Sequence, residues 1–488
     1  MKKHLLFIFT ALLPLLASAQ TVEIEGIWYV LTVGTGQAEV TRNPDNTTKY
    51  TGEVTIPPTV TKNEVEYSVT SIGQNAFREC SELTAVNLPN SLTSIGNYAF
   101  YQSGELTAIS VPENVSSIGT SAFNGCTKLA SVTLPKSMES IGNYAFRDCA
   151  LTSIIIPEGI TSIGEQTFYG CDVLASITIP ASVTSFGSKA FFDCESLTDV
   201  YISSVEAWCN ISVGFRDDTP LQYATNLYLN GTLVTELTIP GTVTAVKDYA
   251  FYELNGITSV ILSEGVTSVG EYAFRDCGNL ETLTLPTSVE SIGNNAFIGC
   301  EKLTSITCKA TTPPTCGGSN TFVFVDKSIP VYVPASAVEA YQIAERWMDF
   351  TNIQAMPVVT VTGITLDQTT ATLTEGETLA LTATVAPDDA TDKTVVWSTS
   401  NAEVATVDEN GVVTAVAEGT ATITATASGK EATCVVTVEG GVTTAIEQVE
   451  AQGSTVEGST VVYDLMGRRV EKAEKGIYIV NGRKVMIR

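Results

Sequence analysis

The chain has 488 residues, 44% hydrophobic and 16% charged, with 53 acidic against 26 basic side chains and a net charge of −27. That length exceeds one compact domain and points to roughly two to four, and the apolar content excludes a disordered polymer. A polyanion of this size repels nucleic acid and anionic lipid, so neither is expected as a partner.

The first nineteen residues stand apart. Lys2 and Lys3 are followed by an apolar run from Leu5 to Leu16, and Ala17-Ser18-Ala19 precedes Gln20. This pattern predicts a secretory signal peptide over residues 1–19. No cysteine follows the cleavage site, which argues against a lipid anchor there. No later stretch has the length and apolarity of a membrane-spanning helix. Cleavage removes His4, the only histidine, together with Lys2 and Lys3, leaving 24 basic and 53 acidic residues (24 − 53 = −29).

Residues 20–68 read as an N-terminal β cap, with strands at Gly26-Ile27-Trp28-Tyr29-Val30 and Val54-Thr55-Ile56-Pro57. Repetition begins at residue 69. The motif Ile-Gly-x-x-Ala-Phe-x-x-Cys starts at Ile72, Ile95, Ile118, Ile141, Ile163 and Phe186, then resumes at Val246, Val269 and Ile292. Its phenylalanine falls five residues on each time, from Phe77 to Phe297. A period of 23 residues, once 22 and once interrupted at 60, is that of leucine-rich repeats. Between these motifs, Leu-x-x-Val-x-Leu-Pro (Leu129 to Pro135, Leu280 to Pro286) predicts a short strand with one buried face, ended by proline. Ile-Gly is expected to turn the chain, glycine supplying the freedom of the bend. One repeat buries too little to offset its own ordering, so coils must stack into a solenoid over residues 69–353.

Residues 203–230 break the period and carry Trp208, Cys209, Tyr223 and Tyr228. They are expected as a loop insertion packed on the solenoid flank, with a binding protrusion as the alternative. Residues 331–353 are expected to cap the last coil, with a helix carrying Val338, Tyr341, Ile343, Trp347 and Phe350.

The repeat resembles the BspA-like leucine-rich repeats of bacterial surface proteins, and Val333-Pro334-Ala335-Ser336-Ala337-Val338-Glu339-Ala340-Tyr341 looks like that family's usual ending. The resemblance implies a cell-surface protein with an adhesive role.

Residues 358–439 change to Thr, Val and Ala, with seven strand-like runs and a hairpin signal at Asn410-Gly411. This predicts a small β-sandwich. Trp397-Ser398-Thr399-Ser400, Val404-Ala405-Thr406-Val407-Asp408 and Gly419-Thr420-Ala421-Thr422-Ile423-Thr424-Ala425 resemble the group 2 bacterial Ig-like domain, which implies a surface spacer or adhesion module. The fold class expected is therefore mainly β, a leucine-rich-repeat solenoid followed by an Ig-like β-sandwich. Residues 440–460 read as a flexible linker. In residues 461–488, seven basic and three acidic side chains follow Tyr463. Tyr463-Asp464-Leu465-Met466-Gly467-Arg468-Arg469-Val470 and Gly476-Ile477-Tyr478-Ile479-Val480 look like the C-terminal sorting tail of type IX secretion cargo. That resemblance implies export to the outer-membrane surface of a Gram-negative bacterium, and a plain terminal β-hairpin is the alternative.

Catalysis has little support. Without histidine, Ser-His-Asp and Cys-His schemes are excluded, and the acids scatter over variable positions rather than converging. No catalytic residue, cofactor or metal site is assigned. Seven cysteines share one repeat position (Cys80, Cys126, Cys149, Cys171, Cys194, Cys277, Cys300), but Ser103 and Leu254 interrupt them and no histidine completes a mixed site. They are expected as buried, inert packing groups. Cys308 and Cys316 lie close enough in sequence for a disulfide in an exported protein. The candidate binding face is the outward row of the strands: Asn87, Ser110, Thr133, Thr178, Tyr201, Thr238, Thr284 and Thr307. It is hydroxyl-rich and poor in arginine, reading either as a β-compatible ladder or as a docking strip. Two functions are expected: a secreted, surface-exposed adhesion protein for a host or neighbouring-cell surface protein, or a surface protein that binds glycan for carbohydrate capture.

Overall fold

A computed structural model describes residues 19–46, 49–388, 390–440, 447–449, 462–470, 476–480 and 483–487. The expected signal peptide, apart from Ala19, and most of the expected linker lie outside the described residues. The chain forms two units, Met1–Met356 and Pro357–Arg488.

The first unit is a β-solenoid of about 12 turns. Two rows of parallel strands run along it. Longer strands such as Ser176–Ile179 and Asp199–Ile202 pair Ile177 with Val200, and two-residue strands such as Ser117–Ile118 and Ser140–Ile141 pair Ile118 with Ile141. The third side is the Ala-Phe segment, and its backbone follows a strict rule. Tyr98 and Gln102 are left-handed, with φ of 57° and 56°, as are Tyr144 and Asp148 (61° and 55°) and Tyr272 and Asp276 (57° and 57°). Alternate N–H groups then point inward and onward. Those of Ala99, Tyr101 and Ser103 donate to carbonyls three residues back in their own coil, at 3.1–3.3 Å. Those of Tyr98, Phe100 and Gln102 donate to Thr120, Ala122 and Asn124 of the next coil, at 2.7–2.9 Å. A left-handed non-glycine residue costs about 1 kcal/mol or more, so stacking is what holds this conformation.

Stacking also explains the repeat glycine, and differently from the turn expected. The φ of Gly119, Gly142 and Gly293 is not positive. A Cβ on Gly142 would stand 2.4 Å from the Thr120 nitrogen, and one on Gly119 2.5 Å from that of Asn97. The residue is glycine because the preceding coil's backbone lies against it. The one coil that departs, with Lys247 in this place, follows the irregular segment. There the Lys247 N–H meets the Cys209 carbonyl at 3.3 Å, and its ammonium donates to Asn210 and Ser212.

Inside, phenylalanine rings stack from coil to coil. Centroids from Phe77 through Phe100, Phe123, Phe146 and Phe168 to Phe191 are 5.0–5.8 Å apart with planes within 16°. The column resumes from Phe251 through Phe274 and Phe297 to Phe322. Phe322 escapes the motif because it follows Cys316-Gly317 at six residues from the cysteine instead of five. Tyr50 tilts against Phe77 at one end, and Trp347 against Phe322 at the other. The expected closing helix is short, Val338–Ile343, after a 3-10 turn at Ala335–Ala337.

The repeat cysteines are donors as well as packing groups. Each sulfur from Cys126 to Cys194, and again at Cys277 and Cys300, lies 3.1–3.3 Å from the phenylalanine carbonyl of the preceding coil. Ser103, an interruption of the cysteine series, makes the same bond to Phe77 at 2.6 Å. At the last coil no cysteine follows, and the Lys327 ammonium caps the Phe322 and Val325 carbonyls (3.1 Å to Val325).

The irregular segment is a coil, not a flank loop. Asn226–Leu229 continues the long row, pairing Tyr201 with Tyr228, and Ser212 bridges Ser185 in the short row. Two side chains take over the next coil's carbonyl role. The buried Asp218 carboxylate accepts the left-handed Lys189 N–H at 2.7 Å, and the Tyr223 hydroxyl accepts that of Asp193 at 3.0 Å. Trp208 is buried with its indole N–H on the Ala250 carbonyl at 2.7 Å.

In the second unit the described residues carry nine strands between Gly363 and Glu439, because Thr370–Thr374 adds to the runs expected and the run from Thr378 divides in two. Leu373, Val413, Ile423, Cys434 and Val436 form its core. Glu447–Val449, inside the expected linker, pairs with Arg483–Ile487 in a sheet with Val462–Tyr463, Arg469–Val470 and Gly476–Val480.

Two outcomes follow. Gly142→Ala is expected to lower unfolding free energy by about 1–3 kcal/mol through overpacking. Gly104→Ala, where a Cβ meets only a threonine oxygen at 3.3 Å, changes it within about 0.5 kcal/mol; urea titrations of both check this. Burial pushes the Cys126, Cys171 and Cys300 thiols up to about 12 from an ordinary 9.0. The folded chain therefore keeps protons that the unfolded chain releases. This contribution is intact below pH 9 and is lost between pH 9 and 12, at about 1.4 kcal/mol per pH unit per thiol. Stability scans across that window should fall with pH, and iodoacetamide at pH 8 should label these thiols only after denaturation.

Candidate functional site

The expected binding face forms one row. Asn87, Ser110, Thr133 and Thr238 are exposed and Thr178, Tyr201, Thr284 and Thr307 half-exposed. Parallel register sets Thr133 beside Ser110, Thr178 beside Tyr201 and Thr284 beside Thr307. Asn87 is engaged, its amide donating to Glu53 and Thr55 at 2.8 and 3.0 Å. Among the described residues, the hydroxyls of Ser110, Thr133, Thr178, Thr238, Thr284 and Thr307 have no protein partner. Hydroxyls flanking the strands are spent within the stack instead: Thr93 donates to Thr70, Thr184 to Thr161 and Thr267 to Thr244, at 3.0–3.1 Å. The row is thus a strip of free hydroxyls, broken by Ile155 and Ile261, 70% and 39% exposed, and by an aromatic pair. Tyr201 and Tyr228 stack at 4.6 Å and 15°, beside Asp199, which accepts the Asn226 amide at 2.8 Å.

Cys308 and Cys316 are both free thiols, so the disulfide weighed from sequence is not formed in this structure. Cys308 lies on the long row opposite Leu285 and Cys316 on the short row opposite Ile292. The Tyr341 hydroxyl stands between the Cys308 sulfur, at 3.0 Å, and the Ala310 carbonyl, at 2.9 Å.

Sequence reasoning missed a second surface, on the Ala-Phe side. Arg78, Arg147 and Arg275 occupy one repeat position, and each Nε pairs with the following acid, Glu79, Asp148 or Asp276, at 2.9–3.3 Å. Their guanidiniums lie over Tyr101, Tyr169 and Tyr272 at 5.0, 4.3 and 5.7 Å. The signal was present as Tyr-Ala-Phe-Arg-Asp-Cys at 144–149 and 272–277. At Arg275 the irregular coil adds Phe215, Arg216 and Asp217, which with Tyr249, Tyr252 and Tyr272 line an open recess of about 310 Å³. Tyr249 and Tyr272 stack at 4.8 Å and 9°. Tyr252 is buried, and burial, then the charge of Glu253, push its hydroxyl up to about 12. Burial also raises the Glu253 carboxyl. Among the described residues no group of acids, cysteines or histidines is arranged to hold a metal ion.

The model of the BspA-type leucine-rich repeat region matches residues 58–154, 94–208 and 224–332, and that of the group 2 bacterial Ig-like domain matches residues 360–438. A 3-O-alpha-D-galactosyl-alpha-L-arabinofuranosidase of Bifidobacterium longum is 61% identical over 56 residues, 12% of this chain and 5% of that protein. A lacto-N-biosidase of Bifidobacterium bifidum is 52% identical over 81 residues, 16% and 7%. The chain therefore spans less than a tenth of these two relatives, and their catalytic names attach to short shared segments. Among solved structures, a leucine-rich cell surface protein from Faecalibacterium prausnitzii is 22% identical with a TM-score of 0.39, over 70% of this chain and 96% of that one. A leucine-rich repeat protein from Bacteroides ovatus is 24% identical with a TM-score of 0.33, over 69% and 100%. Its matched repeats cover more than half of its length, and the chain belongs to the BspA-type leucine-rich repeat family.

Proposed function

We propose that the chain is a secreted, cell-surface-exposed interaction protein that uses its solenoid for adhesion to a protein of a host or neighbouring cell. The observation that carries this reading is the strip of unengaged hydroxyls from Ser110 to Thr307, held in register by the parallel strands. A flat strip of donors and acceptors suits an extended segment of a partner. The Ig-like domain serves as spacer and the basic tail as sorting signal, placing the protein on the outer-membrane surface of a Gram-negative bacterium. A second reading, glycan capture, is favoured by the half-exposed Tyr201–Tyr228 stack.

Protease treatment of intact cells followed by blotting is expected to degrade the protein, and full protection would overturn the surface location. The chain lacking residues 1–19, probed against arrays of cell-surface proteins and glycans, is expected to capture protein. Thr178→Arg with Thr284→Arg should then weaken capture at least about tenfold, roughly 1.4 kcal/mol. Unchanged capture would remove the strip as the docking face.

A further inference from the structure

We infer that the recess bounded by Phe215, Arg216, Asp217, Tyr249, Tyr272 and Arg275 is a binding site for a neutral pyranose unit of a glycan. The inference deepens the glycan reading and moves its site from the strand row to the opposite, Ala-Phe side of the coil.

The other Arg–Tyr pairs along this side are closed staples between coils. At Arg275 the irregular coil builds a wall. Phe215 is 68% exposed at a position where the surrounding segment is tied down, since the buried Asp218 carboxylate accepts both the Phe215 and Lys189 N–H groups at 2.8 and 2.7 Å. An apolar ring fixed in water beside stacked tyrosines offers aromatic faces to the C–H face of a sugar. Its volume of about 310 Å³ is at the small end of ligand sites.

Charge selects the ligand. Both guanidiniums are already matched, Arg216 by Asp217 at 3.2 Å and Arg275 by Asp276 at 2.9 Å. An anion would add repulsion from Asp217 and Asp276 and from a chain of net charge −27. A cation would face the guanidiniums of Arg216 and Arg275, the second of which already sits 5.8 and 5.7 Å from the Tyr252 and Tyr272 ring centres. What remains are N–H donors on the outer guanidinium nitrogens, acceptors on Asp217 and aromatic faces. That set matches a neutral ring bearing adjacent hydroxyls.

The test uses the chain lacking residues 1–19 with neutral oligosaccharides ending in galactose, glucose, mannose or N-acetylglucosamine, and with uronate-bearing ones, by saturation-transfer NMR and calorimetry. At least one neutral oligosaccharide is expected to bind. Phe215→Ala and Tyr272→Ala should each weaken it at least tenfold, with Tyr228→Ala leaving it unchanged. Should Tyr272→Ala fail to fold, Phe215→Ala decides, since an exposed ring contributes little to the core. Binding lost with Tyr228→Ala but kept with Phe215→Ala overturns the recess and leaves glycan capture standing on the strand row. No binding of any neutral oligosaccharide, or preference for uronates, overturns the inference, while protein capture by the hydroxyl strip is unaffected by either result.

Discussion

The solenoid depends on one hydrogen-bonding constraint. Each Ala-Phe segment carries left-handed residues four apart, and its alternate N–H groups leave the coil and must be met by the next one. Tyr98, Phe100 and Gln102 are met by Thr120, Ala122 and Asn124. A buried N–H without such a partner is costly. Coil separation is therefore set by backbone bonds, and the other features adapt to it. Rings stack at 5.0–5.8 Å in the phenylalanine column from Phe77 to Phe191. Glycine follows the short strand because no Cβ fits at that separation. Cysteine suits its place because a sulfur reaches the preceding carbonyl while filling apolar volume, and Ser103 shows that the donor is part of the requirement.

Ends and interruptions follow the same rule with substitute groups. The Lys327 ammonium takes the place of a following coil's thiol on Phe322, and Trp347 takes the place of a following ring. In the irregular coil, the Asp218 carboxylate and Tyr223 hydroxyl receive the N–H groups that Lys189 and Asp193 send forward. Because these partners are side chains, the backbone of residues 210–225 need not copy the repeat. That freedom lets Phe215 and Arg216 project over the neighbouring coil.

The regular part of this was legible in the sequence. Period, phenylalanine register and strand alternation follow from side chains that recur at fixed spacing, and residues such as Thr133 and Thr178 do lie on the outward side of their strands. What escaped has two physical origins. Gly142 and Cys126 were assigned to a bend and to packing because spacing reports recurrence, not which backbone atom lies opposite. The irregular coil looked like a loop because Asp218 and Tyr223 serve through side chains that no periodicity marks. The recess combines both blind spots. Its Tyr272-to-Arg275 half lies in a motif, but its Phe215 half lies in a segment without one.

A repeat array amplifies this division of labour. Regular coils make nearly identical surfaces, so a strip of threonine and serine hydroxyls extends contact area without distinguishing one stretch from the next. Discrimination needs groups that occur once, and hot spots favour tyrosine, tryptophan and arginine in places sheltered from water. Only where the hydrogen bonds of stacking pass to side chains does the backbone gain room for them. The coil of residues 203–230 is that place: it carries Tyr228 on the strand side and Phe215 and Arg216 on the other, while its buried Trp208 and Asp218 keep it joined to the stack. Variation in ligand among such solenoids is then expected to reside in irregular coils, with the regular ones conserving the separation that makes both possible.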